Sequence, residues 1–375
     1  MCRRSHGSGH LSEKHIKNRS ATTRPHPFFA PCYIPRALAR SMEDTLMRRF
    51  RFALGLILAT TVSITALAQA PAQAPPKPDS PEVQAMLDRA RKTAGTMWAD
   101  EERFFCEAPR ANAATDPPIK PTQLFDNMYA IGNTGTTAYV VKTSAGLLMI
   151  DSLPAANLDN QLLPGFMALG LNPADVKIIV LGHGHADHFG NARYFQDKYG
   201  TKVYLSAADW NLIENPPPGR NGQPTAPPQG APKHDQVAME GQPIVLGDFK
   251  ITPVLIPGHT PGSTGYIFPV KDNGKTRVTG LYGGTILTPG PISDEGLATY
   301  VKSVEHFQTE AKKAGVEVVL QNHPLMLPMA AWTDKLQTAK KGDANPFVVG
   351  KANYQKFLDV LHACSEINVA RRKST

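Results

Sequence analysis

The sequence predicts an α+β domain built as a four-layered αββα sandwich, with helices outside two packed sheets. Three observations lead there. Short β-rich runs fall into two groups, each accompanied by helical segments. No stretch between the groups is poor enough in apolar residues to divide the chain into separate domains, and no internal repeat of 20–50 residues is present. The 375 residues are 41% hydrophobic, as a globular chain requires.

The first segments read as processing signals. Residues 1–46 look low in structure and read as an over-extended start, with Met47 or Met42 the true one, or as a disordered segment; they precede an export-type sequence at 47–68. There Met47 and Arg48, Arg49 and Arg51 supply a cationic start, and Ala53 to Leu67 form an apolar run. "ALAQA" follows with the small residues a signal peptidase accepts, cleavage after Ala68 being preferred. The alternative is an uncleaved membrane anchor. After cleavage no stable membrane span is expected, and the chain is expected in the periplasm or secreted. Residues 69–80 form a Pro-rich linker, and residues 81–375 the domain itself.

Within the domain, Ser80 is a candidate N-cap for a helix over "PEVQAMLDRARKTA". "MYAIG", "TAYVVKT" and "GLLMIDS" read as a strand meander, and Ala155 to Leu169 as a helix. "VKIIVLG" is a short apolar strand, followed by a helix ending on Gly200, the strand "TKVYLS" and the short helix "AADWNLIE". Residues 215–235 contain seven prolines and must be a long loop, either functional or simply at the surface. "FKITPVLIPG", "STGYIFPV" and "TRVTGLYGG" are strands. A clear amphipathic helix over "EGLATYVKSVEHFQTEAKKAG", the strand "VEVVLQNH" and a terminal helix containing Cys364 complete the order.

The net charge of +8 first suggests an acidic partner. Residues 1–70, however, carry 11 Lys+Arg against 3 Asp+Glu, and the remainder carries 29 of each. The body is neutral and offers no electrostatic argument for nucleic acid, so a small-molecule substrate is expected. Of four cysteines, only Cys106 and Cys364 lie after residue 70. In an oxidising compartment they could form one disulfide; two buried free thiols are the alternative.

The stretch "GHGHADHFGN" (182–191) carries the chemistry. His183, His185, Asp187 and His188 place four metal-capable side chains within six residues, directly after a buried strand. Imidazoles with one carboxylate suit zinc, and Gly184 and Ala186 leave room for convergence. His259 in "IPGHTPGST" and His323 in "VVLQNHP" also stand at strand ends. His234, His306 and His362 sit in a Pro-rich loop or mid-helix and are better read as ordinary residues.

With Asp151 at the end of "LLMID", these residues resemble the metallo-β-lactamase superfamily, whose signature is H-x-H-x-D-H followed by later histidines. The resemblance spans about residues 125–370. It implies one or, more fully, two Zn2+ ions, the first on His183, His185 and His259, the second on Asp187, His188 and His323. It implies that Asp151 supports the ligand loop, and that a metal-bound water of lowered pKa attacks a carbonyl while Asp187 orients it. The stretch "LYGGTILTP" has Gly283, Gly284 and Thr285 where many members carry a bridging aspartate, and no cysteine. That pattern is most similar to subclass B3 β-lactamases, as is the export signal. Tyr282 and Thr285 are the expected substrate contacts. The activity implied is opening of a β-lactam amide; a lactone, thioester or other ester, or non-catalytic zinc binding, are the alternatives. Gly182 stands where many members have Ser or Thr before the first histidine, Ala186 replaces an aromatic often found in the subclass, Tyr266 stands where a tryptophan is common, and Thr285 where the subclass usually has a serine. The oligomeric state is open.

Overall fold

Seven strands hydrogen-bond in chain order into a first sheet: β1 (Thr122–Phe125), β2 (Met128–Gly132), β3 (Thr137–Thr143), β4 (Gly146–Ile150), β5 (Val176–Val180), β6 (Lys202–Leu205) and β7 (Gln236–Val237). The first four form an antiparallel meander, and β4 through β7 pair in parallel. β5 is apolar on both faces because parallel strands are covered on both sides; only Lys177 is exposed in it. In this computed structural model the described residues are 78–107, 117–218, 223–287, 292–340 and 342–373. The expectations for residues 1–46, for the signal sequence at 47–68 and for most of the linker lie outside them.

The second sheet has the order β12-β11-β10-β9-β8. Its strands are β8 (Ile244–Leu246), β9 (Phe249–Leu255), β10 (Thr264–Asp272), β11 (Lys275–Leu281) and β12 (Val318–Leu320). Asn273 and Gly274, both at positive φ, close the β10–β11 hairpin with Asp272 opposite Lys275. An Asn-Gly pair is suited to this two-residue turn because its twist matches that of the strands.

Nine α-helices are present among the described residues: α1 (Pro81–Ala94), α2 (Ala99–Glu102), α3 (Leu163–Ala168), α4 (Ala186–Phe189), α5 (Ala192–Tyr199), α6 (Ala207–Glu214), α7 (Asp294–Ala314), α8 (Met329–Thr338) and α9 (Lys351–Lys373). Ser80 caps α1 through its hydroxyl, and Ser293 and Gly315 bound α7. The single helix expected over Ala155 to Leu169 is instead a 3₁₀ turn, a π turn and the short α3. Pro164 has no N–H to continue a ladder from the preceding turn and is tolerated only near a helix start. β1, β7, β8 and α8 have no counterpart in the sequence reading; three of them are strands of two to four residues.

Three apolar clusters separate the four layers. Val141, Leu148, Ile178 and Val180 of the first sheet meet Ile251, Phe268, Leu281 and Leu320 of the second. α3, α5 and α6 cover the outer face of the first sheet through Phe166, Phe195 and Trp210. α1, α7 and α9 cover the second through Leu87, Phe307 and Phe357. Cys106, in the turn following α2, is bonded to Cys364 of α9. Among the described residues no helix is long and apolar enough to cross a membrane.

Candidate metal centre

The chain leaves β4, β5, β6, β9, β11 and β12 into loops that meet at one edge of the sandwich. There the two sheets are tied together by backbone and phenol bonds. Thr264 N donates to Gly182 O at 2.8 Å, Thr137 N to Asn322 O at 2.9 Å, and the hydroxyls of Tyr139 and Tyr266 to Gln321 O and Leu181 O. Tyr266 is thus a buried strut of the ligand loop, which accounts for a phenol at that position.

Six predicted ligands converge at this edge. Nε2 of His259 lies 3.1 Å from Nε2 of His183 and 3.1 Å from Nδ1 of His185. Nε2 of His188 faces Nε2 of His323 at 2.9 Å. Asp187 Oδ2 stands 3.4 Å from His188 Nε2 and 3.5 Å from His323 Nε2, with about a third of its side chain open to solvent. Among the described residues two groups could hold an ion: His183 with His185 and His259, and His183 with His188 and His323, Asp187 standing beside the latter. His234, His306 and His362 lie elsewhere, paired with Glu214, Glu240 and Glu305.

The outer ring nitrogens show which lone pairs are free. Carbonyl oxygens can only accept, so Nδ1 of His183, His259 and His323 must donate to Gly283 O, Ile286 O and Gly135 O, at 2.7–2.8 Å. Nδ1 of His188 donates to the Asp151 carboxylate at 2.7 Å. His183, His259 and His323 therefore turn a bare Nε2 inward, and His188 does so once its Nε2 proton is displaced, the arrangement that metal-binding histidines adopt. Burial pushes His183, His185 and His259 well down or down from the ordinary imidazole value, so they stay neutral at pH 7. Burial and the neighbouring His188 lower His323 to about 4. Burial also opposes charge on His188, but Asp187 and Asp151 outweigh it and hold its pKa up at about 10. A positive charge belongs beside those carboxylates. Neutral, inward-facing donors around a spot that favours a cation fit a bound metal ion.

Two side chains not singled out in the sequence hold the loops in place. Asp209, at the start of α6, accepts from Gly184 N (2.7 Å), Gly262 N (2.7 Å) and the Thr260 hydroxyl (2.6 Å), joining the two histidine loops. Asn322 Nδ2 donates to Asp151 Oδ2 and to Gly283 O. Their partners lie 25 to 171 positions away, and no local pattern marks such pairings. Asp151 Oδ1 also accepts from Gly182 N at 2.7 Å, and its backbone is left-handed at φ 56.

The stretch "LYGGTIL" has a positive role as well as lacking a carboxylate: its Gly283 and Ile286 carbonyls orient two histidines. It also corrects two expectations. Tyr282 is fully buried among Tyr300 and Phe307, on the helix side of the second sheet, and does not line the cleft. Thr285 is fully buried too; its hydroxyl has no partner among the described residues and its carbonyl accepts from Tyr300. By contrast Pro216, Pro217 and Pro228 of the long loop line a cleft with His185 and His259.

Comparison with known proteins agrees with this geometry. The profile of the metallo-beta-lactamase superfamily matches residues 131–272. BJP-1, a subclass B3 metallo-beta-lactamase of Bradyrhizobium japonicum, superposes with a TM-score of 0.57 at 28% identity, covering 67% of this chain and 92% of that one. Over this core the chain is similar to the metallo-beta-lactamase superfamily, and to a subclass B3 member in particular. The FEZ-1 enzyme from Legionella gormanii shares the superfamily fold, with a TM-score of 0.54 at 21% identity over 69% of this chain and 95% of that one. A curated relative, the hydroxyacylglutathione hydrolase GloC of Haemophilus influenzae, is 29% identical over 163 residues, 40% of this chain and 73% of that protein. The exodeoxyribonuclease WalJ of Streptococcus pneumoniae aligns over 90 residues only, 24% of this chain and 32% of that protein.

Proposed function

We propose that this protein is an exported hydrolase that holds two zinc ions and opens the amide of a β-lactam. The observation that carries the reading is the pair of inward-facing nitrogen groups completed by Asp187, with glycines and a threonine at 283–285. The likeness to BJP-1 supports the β-lactam as substrate. His183, His185 and His259 would hold the first ion, and Asp187, His188 and His323 the second. Zinc, when bound, supplies a Lewis acid for a carbonyl oxygen and brings the pKa of water near neutrality. Among the described residues Asp187 is the carboxylate beside these nitrogens whose side chain is partly open to solvent. Burial resists its ionisation, but His188 overcomes this and holds it well below the usual carboxylate range, so Oδ2 stays ionised and is available to accept a hydrogen bond from water and orient it. Asp151, Asp209 and Asn322 fix the loops so that these groups need not reorganise during reaction.

Export is supported by the apolar run after Met47 and by the Cys106–Cys364 bond, which persists in oxidising compartments. A small-molecule substrate rather than nucleic acid is supported by the balanced charge of residues 71–375. A second reading, a lactone, thioester or other ester as substrate, is favoured by the similarity to the hydroxyacylglutathione hydrolase. Purified protein should turn over a cephalosporin and a carbapenem, lose turnover on dialysis against a chelator and regain it with zinc. If the zinc-loaded protein stays at background on both β-lactams and hydrolyses an acyl-homoserine lactone or a thioester, the second reading replaces the first.

A further inference from the structure

Next to His185 and His259 lies a cleft of about 640 Å³. Its walls are apolar: Leu212 and Ile213 of α6, Pro216 and Pro217 of the long loop, Pro257 and Ile292. Among its described lining residues Glu295, in the first turn of α7, is the one fixed charge. Its neighbour Asp294 pairs with Arg372, whereas Glu295 is exposed and has no hydrogen bond or ion pair among the described residues. A carboxylate in a helix's first turn would ordinarily be accounted for by the helix dipole alone. Here it also stands at the mouth of a low-dielectric wall, where the field of one charge reaches further than over open surface.

We propose that this cleft receives the portion of the substrate beyond the bond that is cleaved, that it takes an apolar group with a neutral or cationic end, and that Glu295 sets the preference by repelling anionic groups. The inference rests on the hydrolase reading of the adjoining histidines, and it adds a substrate class and a specificity-determining residue to it.

A binding measurement separates the two. The protein is loaded with cobalt(II) and titrated at low salt with 2-aminoethanethiol, 2-mercaptoethanol and 3-mercaptopropionate, following the sulfur-to-cobalt absorption. The anionic-to-cationic ratio of Kd is compared with that of Glu295→Gln and Glu295→Lys, which cancels intrinsic differences among the thiols. We expect the ratio to fall about threefold in Glu295→Gln, the scale of one exposed charge, and further in Glu295→Lys. The difference should shrink in 0.5 M salt. A purely helix-stabilising Glu295 would lower melting temperature in both variants and leave the ratio unchanged, which overturns the proposal; Glu295→Gln suffices if Glu295→Lys does not fold. Cobalt and thiol binding without hydrolysis of any β-lactam or ester would sink the hydrolase reading, while the ratio still decides the role of Glu295. Failure to bind cobalt would remove both.

Discussion

Asp209 shows how a residue outside a candidate ligand set can hold that set in place. It is buried and satisfies two amides and a hydroxyl on the loops that carry His183, His185 and His259. Asp209→Ala would strand those three donors, and removing a partner of this kind typically weakens metal binding by about 10–100-fold. Metal content after dialysis at graded chelator concentrations would check this; wild-type retention would refute it. Glu101 poses the opposite case. It is fully buried, and neither carboxyl oxygen has a partner among the described residues. Burial, reinforced by Asp359, raises its pKa well above the usual value. A carboxyl that holds its proton more tightly when folded stabilises fully below its unfolded pKa of about 4.3. That contribution is lost as pH rises from there toward the folded value. Glu101→Gln should therefore raise the melting temperature at pH 8 by more than at pH 4, and a shift independent of pH would contradict the assignment.

Among the elements, the loops after β5 and β11 are the most tightly constrained. A side chain at Gly283 would place Cβ 2.0 Å from Thr264 O and 3.0 Å from Gly182 Cα. At Gly182 it would sit 2.8 Å from Asn322 Nδ2. The Ser or Thr common before the first histidine cannot fit without displacing Asn322, so the departure at Gly182 is steric. Gly283→Ala should cost about 1–3 kcal/mol, since its nearest neighbour is backbone and cannot swing aside. It should also turn His183, whose Nδ1 bonds the same residue's carbonyl. Urea unfolding with a parallel zinc titration would read both effects; a stable variant with intact zinc affinity would show that the loops can part.

At the scale of the whole molecule, one covalent link joins the segment after α2 to α9, 258 positions along the chain. The guanidinium of Arg371 adds a bidentate contact to Asp79 at 2.8 and 2.7 Å, so both ends of the described domain close on the same helical layer. Loss of the link in a Cys106→Ala, Cys364→Ala double variant should lower stability by about 2–5 kcal/mol. Denaturant melts with and without reductant would measure it. Turnover at temperatures below the transition should survive, because the metal edge is built from loops of the two sheets. A double variant as stable as wild type would show that packing of α1, α7 and α9 suffices alone.

The sequence by itself determined the αββα layering, the positions of most helices and strands, and the residues able to bind metal. These are local: apolar periodicity marks an element's face, and four metal-capable side chains in six residues need no tertiary information to be seen. Short strands such as β7 and β8 escaped because two or three residues carry no period. Only the tertiary structure decided that Tyr282 and Thr285 are buried, that Asp209 and Asn322 brace the histidine loops, and that the Pro-rich loop walls the cleft. Each of those depends on which distant backbone groups meet at the sheet edge. Side-chain hydrogen bonds across 25 to 171 positions are set by the packing of whole layers, and no window of sequence contains both partners.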